Sequence, residues 1–227
     1  MKNKGTVKLS KKRRKILIVD DHPLMREGFA KLVNQQSDLT VCCEASSAEE
    51  ALEFVSGDEP DLMVTDITLP GKDGIELIKD LKSMHPDFLI LVLSMHDESI
   101  YAERCLRAGA RGYLMKQESS TNVLSAMRKI LDGGVYVSDQ LSAKILEIFS
   151  GSKPTSRRSP IEALTDREFE IYQAIGKGQN VKEIASRLHI SQKTVEAHRA
   201  NIREKLQLAS ANELTIHAVR WIESHHG

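Results

Sequence analysis

Five short apolar runs, "ILIVD", "TVCCEA", "DLMVTD", "LILVLSM" and "GYLMK", punctuate residues 16 to 134, and each is followed by a stretch of helical periodicity. Those stretches are "MREGFAKLVNQ", "SAEEALEFVS", "GIELIKDLKSM", "SIYAERCLRAG" and "STNVLSAMRKILDGG". Runs as continuous as Ile16 to Val19 suit strands covered on both faces, which is how a parallel sheet reads in sequence. Parallel neighbours need long crossovers, and the intervening helices supply them. The expected fold is therefore α/β, a doubly wound five-stranded parallel sheet with helices on both faces. Such sheets hold ligands beyond the C-terminal ends of their strands.

The residues at those ends are polar. Asp20 and Asp21 follow the first strand, Asp66 ends the third, Ser94 the fourth and Lys116 the fifth. Adjacent carboxylates repel, and burying them without a partner would raise their pKa values or cost several kcal/mol. Three carboxylates in one crevice call for a hard divalent cation with oxygen ligands, and Mg²⁺ fits because it accepts few protein ligands. A lysine and a hydroxyl beside such a site suit a phosphoryl group, with Asp66 as the acceptor. Read singly, a strand-end Asp is a turn residue or helix cap, and Ser94 or a nearby Tyr113 is structural. Their joint placement at successive strand ends carries the functional reading. His22 and His96 lack zinc-ligand spacing and read as loop residues.

The 227-residue chain is long enough for two ordinary domains. Lys+Arg and Asp+Glu are both 32, so any attraction to a polyanion must be local. The three cysteines, Cys42, Cys43 and Cys105, form an odd set without metal spacing, which suits a reducing compartment. No apolar run approaches the roughly 20 residues of a membrane span, and the basic N-terminus lacks a signal peptide's apolar core. The expected location is cytoplasmic, with no membrane partner. Residues 1–14 read as a basic disordered tail and 15–134 as the first domain. Residues 135–160 read as a linker helix, "YVSDQLSAKILEIFS", followed by a flexible linker, "GSKPTSRRSP". Residues 161–227 form the second, all-α domain, whose first helix opens with a capping box at Thr165 and Glu168.

Within "NVKEIASRLHISQKTVEAHRANIREKL", Val181, Ile184, Ala185 and Leu188 share one helical face and Ser191 caps the next helix. There Val195, Ile202 and Leu206 form the inward stripe, while Lys193, Glu196, Ala197 and Ala200 turn outward, flanked by Arg199, Arg203 and Lys205. Helix, short turn, helix with flanking cations is an arrangement for the major groove of double-stranded DNA. Glu196 has the chemistry to accept from a cytosine amino group and Ala197 to touch a thymine methyl.

Residues 14 to about 131 closely resemble the receiver domain of two-component response regulators, with its acidic pair, "DITLPGKDG", Ser and Lys in order. The resemblance implies a flavodoxin-like receiver in which Asp66 is the phosphoacceptor. Asp20, Asp21, Asp66 and the backbone carbonyl of Thr68 would hold Mg²⁺, and Ser94 and Lys116 would contact the phosphoryl group. Tyr113 takes the switch-aromatic position, Pro70 and Gly74 fit the acceptor loop, and Thr68 and His96 occupy positions that tune acyl-phosphate lifetime. Gln117 departs from the proline that many receivers carry there. From Leu164 to about Val219 the chain resembles the LuxR-type helix-turn-helix domain, through "LTDRE", "KEIASRL", "TVEAH" and "NIREKL". Together the two place it in the NarL/FixJ family. By that resemblance Glu196, Ala197 and Ala200 stand at base edges, with Lys193, Thr194, Arg199 and Arg203 near phosphates. Glu196 is a departure, since some relatives carry lysine there.

The expected function is that of a phosphorylation-dependent DNA-binding transcriptional regulator, not an enzyme, served by a sensor histidine kinase and dimeric when phosphorylated. In the resting chain the receiver would mask the recognition helix, and phosphorylation would expose it while Tyr113 turns inward. A Mg²⁺-dependent aspartyl phosphotransferase or phosphatase is the alternative. Such enzymes usually carry an acid-base Asp two residues after the nucleophile, where this chain has Thr68, and no substrate cap is visible. A pure interaction module would have no use for the intact acceptor, acidic pair and lysine.

Overall fold

A computed structural model describes residues 13–96, 98–139, 141–143 and 160–225. Most of the basic tail, of the linker helix and of the flexible linker expected from the sequence lies outside these residues. The first ten elements alternate: β1 (Arg14–Val19), α1 (Pro23–Asn34), β2 (Leu39–Ala45), α2 (Ala48–Asp58), β3 (Leu62–Thr65), α3 (Gly74–Met84), β4 (Leu89–Ser94), α4 (Glu98–Ala108), β5 (Gly112–Met115) and α5 (Ser120–Leu131). The strands form one parallel sheet in the order β2-β1-β3-β4-β5. β1 starts at Arg14, inside the segment the sequence assigned to the tail, because Arg14 pairs with Leu39 of β2 and its amide donates to the Asp38 carbonyl at 2.9 Å.

The sheet separates two apolar layers. On one face Ile16, Ile18 and Val64 meet α1 through Ala30 and Val33, and α5 through Val123, Met127 and Ile130. On the other, Leu17, Val19 and Met63 meet α2, α3 and α4 through Ala51, Ile78, Leu81 and Cys105. Ile16 and Leu17 are 0% exposed. Each such side chain withdrawn from water contributes about 1.5–3 kcal/mol. The continuous apolar run was needed because both faces are covered.

After a 3₁₀ turn (Pro160–Ala163) come α6 (Asp166–Gly176), α7 (Val181–Arg187), α8 (Gln192–Lys205) and α9 (Ala211–His225). Both reciprocal bonds of the Thr165/Glu168 capping box form at the start of α6. A second capping box, Asn180 with Glu183, starts α7, and Ser191 caps α8. α6 and α9 cross closely at Gly176, where a Cβ would stand 2.6 Å from the Ala218 carbonyl. Among the described residues no helix is long and apolar enough to cross a membrane.

Candidate functional site

β1 and β3 are neighbours at the point where the chain winding reverses, so their ends open into one crevice. Asp20 and Asp66 leave these strands almost fully buried, 3% and 4% exposed. Lys116, leaving β5, places Nζ 2.7 Å from Oδ2 of both. Burial works against the ammonium charge, but Asp66 and Asp20 outweigh it and hold the Lys116 pKa above the ordinary lysine value. Asp20 Oδ1 accepts from the His22 amide at 2.9 Å, and Asp66 Oδ1 from the Ile67 amide at 2.6 Å. Ligand atoms of Asp20, Asp21, His22 and Asp66 lie within 4.8 Å of one another. Asp21 Oδ1 is buried and accepts no hydrogen bond, although His22 Nδ1 stands 2.6 Å away. A buried carboxylate oxygen facing only the exposed His22 ring, beside two further carboxylates, belongs to the kind of donor set a hard divalent cation completes.

The loop after β3 is held from below by Gly74, whose amide donates to Ile67 O at 2.7 Å. A Cβ at Gly74 would stand 2.1 Å from the Asp66 carbonyl oxygen, so only glycine lets α3 start this close to the aspartate. Thr68 Oγ1 shares a hydrogen bond with His96 Nε2 at 2.9 Å, which ties the loop after β3 to the loop after β4. Burial pushes the His96 pKa down to about 4. Ser94 is fully buried and its Oγ accepts from the His96 amide at 3.3 Å. Tyr113 corrects one expectation. It is already turned inward, 0% exposed, with its hydroxyl donating to the His96 carbonyl at 2.7 Å, so no inward turn is left for a later event.

In α8 the expected inward stripe is present: Val195 and Ile202 are 0% exposed and Leu206 is buried. Lys193, Thr194, Glu196, Ala197 and Ala200 are exposed, and Arg199 and Arg203 are half-buried. Arg199 Nη1 lies 3.5 Å from Glu196 Oε1. The third flanking cation, Lys205, reaches back to Glu168 Oε2 of α6 at 2.6 Å. The expectation that the receiver masks this helix is not met. Lys193, Thr194, Glu196, Ala197 and Ala200 are exposed while the receiver's ion pairs and hydrogen bonds go to α6.

Two family models cover these halves: the response regulator receiver domain over residues 16–128, and the LuxR family of bacterial regulatory proteins over residues 162–218. Oxygen regulatory protein NreC of Staphylococcus carnosus is 36% identical over 210 residues, 91% of this chain and 97% of that protein. The chain belongs to the NarL/FixJ family of response regulators. The RcsB response regulator of Salmonella typhimurium, described for its conformational dynamism in DNA interaction, superposes with a TM-score of 0.55 at 25% identity, covering 90% of this chain and 97% of its own. A structure of two RcsB dimers bound to two parallel DNAs gives 0.56 at 26% identity, covering 89% and 96%.

In this response regulator the two halves meet through α4 and α6. Arg104 donates to the Leu164 carbonyl and Asp166 Oδ1 at 2.9 and 3.0 Å and to the Ile161 carbonyl at 3.1 Å. Its guanidinium also lies 4.6 Å from the Phe169 ring centroid. Lys79 of α3 adds a 2.9 Å ion pair to Asp166. Tyr101 donates its hydroxyl to Gln173 Oε1 at 2.8 Å, inside the contact. None of these residues stood out in the sequence. Tyr101 and Arg104 sit in an ordinary amphipathic helix pattern, and a hydrogen bond across 72 residues leaves no local trace.

Proposed function

We propose that Asp66 accepts a phosphoryl group from the phosphohistidine of a sensor kinase and that this controls binding of the LuxR-type domain to double-stranded DNA. What supports the reading above all is the buried triangle of Lys116, Asp20 and Asp66 with the Asp21 carboxylate beside it. An Asp66 oxygen attacks phosphorus, the P–N bond breaks, and the kinase imidazole leaves with the electron pair. Asp20, Asp21, Asp66 and the Thr68 carbonyl would hold Mg²⁺, which supplies charge neutralisation for the incoming phosphoryl oxygens. Lys116 has its ammonium within reach of the same oxygens, and Ser94 offers a hydroxyl from the next strand end. The protein turns over no small substrate in this scheme; it stores one phosphoryl group.

One helix-turn-helix reads half a site, so stable binding calls for a pair of copies with half-sites spaced by the dimer. The RcsB dimers bound to DNA support a dimer as the DNA-binding form here, and phosphorylation is proposed to favour it. Lys193, Thr194, Arg199 and Arg203 are assigned to phosphates and Glu196, Ala197 and Ala200 to base edges, in a protein that works beside cytoplasmic DNA. Incubation with acetyl phosphate and Mg²⁺ should add one phosphate mass, and Asp66→Asn or EDTA should abolish it. Labelling that persists in Asp66→Asn would overturn the assignment. Gel shift on the protein's own upstream DNA should strengthen on phosphorylation.

A further inference from the structure

His96 occupies a position that the phosphoryl chemistry does not explain. Its side chain bonds Thr68, two residues past the acceptor, at 2.9 Å. Its backbone is tied to Ser94 and Tyr113, donating to Ser94 Oγ and accepting from the Tyr113 hydroxyl. The outer side of its ring rests on Tyr101, with centroids 4.5 Å apart and planes at 32°. Tyr101 is 2% exposed, and what covers it belongs to the other domain: Gln173 Oε1 at 2.8 Å and the Phe169 ring at 5.4 Å. Gln173 and Phe169 are themselves buried. An unbroken line of contacts therefore runs from the acceptor loop through one imidazole into α6.

We propose that His96 is a positioning residue that couples the acceptor site to the DNA-binding domain by bracing Tyr101 against Gln173 and Phe169. The proposal rests on the phosphoacceptor reading of Asp66. A phosphoryl group that draws Ser94 toward Asp66 takes the bonded His96 backbone with it. The ring then leaves Tyr101, and Tyr101 loses the support that fixes its hydroxyl at Gln173. Packed contacts of this kind have discrete arrangements, so a small loop shift is passed on as release of α6. Coupling between sites is reciprocal. Whatever loosens the Tyr101 contact must therefore make the acceptor site easier to load, even from the far domain.

The test uses full-length protein, Mg²⁺ and beryllofluoride. Fluorine NMR reads the bound mimic and its affinity, and small-angle scattering reads separation of the domains. Wild type is expected to bind the mimic and expand. His96→Ala is expected to be expanded without it and to bind it about tenfold tighter; His96→Phe, which restores a ring against Tyr101, should return the compact resting form. Gln173→Ala, in the other domain, should also tighten mimic binding, and the His96→Ala/Gln173→Ala pair should bind no tighter than either alone. Tyr101→Phe, which keeps the ring and removes only the bonding hydroxyl, provides the same readout if His96→Ala fails to fold. Additive effects in the double variant, or mimic affinity unchanged in Gln173→Ala and Tyr101→Phe, would overturn the coupling. Absence of bound mimic in wild type would instead overturn the phosphoacceptor reading beneath it.

Discussion

Arg104 of α4 and Asp166 of α6 form an ion pair at 3.0 Å that joins the receiver to the first turn of the DNA-binding domain, with only 19% and 11% of the two side chains exposed. The same guanidinium serves two backbone carbonyls of that domain and lies over Phe169. Hydrogen bonds to a charged group contribute about 1.5–3 kcal/mol each when removed alone. Arg104→Ala is therefore expected to uncouple the halves. Calorimetry should show one cooperative transition in wild type and two in the variant, with the receiver's own transition unmoved.

Asp73, the N-cap of α3, accepts from the Glu76 amide at 2.8 Å and is 4% exposed. Burial, then the nearby charges of Glu76, Asp166 and Glu170, raise its pKa from 3.8 to about 7. Because the folded value lies above the unfolded one, the folded state holds the extra proton. This contribution to stability is whole below about pH 4, declines as pH rises toward 7, and changes no further above that. The slope approaches about 1.4 kcal/mol per pH unit at most. Asp73→Asn keeps an oxygen for the cap and should remove this part of the pH dependence. Denaturation midpoints of the two proteins at pH 5 and pH 8 check it: the variant should gain relative to wild type at pH 8.

Lys116 neutralises two buried carboxylates at once, so deleting it leaves them facing each other without a cation. Lys116→Ala in EDTA should lose about 3–5 kcal/mol. Millimolar Mg²⁺ should restore more of the thermal midpoint in this variant than it adds to wild type. Equal responses would show that the cation does not sit against Asp20 and Asp66. The variant should still accept phosphate but fail to strengthen DNA binding.

On the DNA side, Glu196 is exposed and its bond to Arg199 is long. Glu196→Ala should leave stability within about 0.5 kcal/mol while relaxing preference at one base pair by about 1–3 kcal/mol. Selection from random DNA with both proteins reads this directly. Arg203→Ala should weaken binding to all sequences alike and reduce the salt slope by about one.

The acidic site was legible because strand ends can be read from where apolar runs stop, and because a parallel sheet brings all those ends to one edge. Asp20, Asp66, Ser94 and Lys116 needed nothing beyond that. Tyr113 could be placed on β5, but its inward rotamer depends on the His96 carbonyl, contributed by a loop 17 residues away. The helix-turn-helix was legible down to two of its caps, since Thr165 and Ser191 act on amides three residues on, while the Asn180 cap of α7 came only with the structure. The α4–α6 contact was not. Arg104 reads as a solvated charge in a helical pattern, and the flexible composition of the linker gives no hint of where the second domain comes to rest. In that resting place the outward side chains of α8, Lys193, Glu196, Ala197 and Ala200, are left exposed.

α6 has consequences for anyone dissecting this protein. Eight consecutive residues, Glu168 to Ile175, are buried, so the helix has no weathered side along that stretch. One flank is owned by α8 and α9, the other by the receiver. Cutting the chain in the linker thus creates a DNA-binding fragment with a freshly wetted aromatic wall at Phe169, flanked by Gln173 and Asp166. Such a fragment should be stickier than its parent, and its self-association in solution is a property of the cut rather than of the regulator. Grafting this domain onto a foreign receiver requires importing a Tyr101 and an Arg104 equivalent along with it.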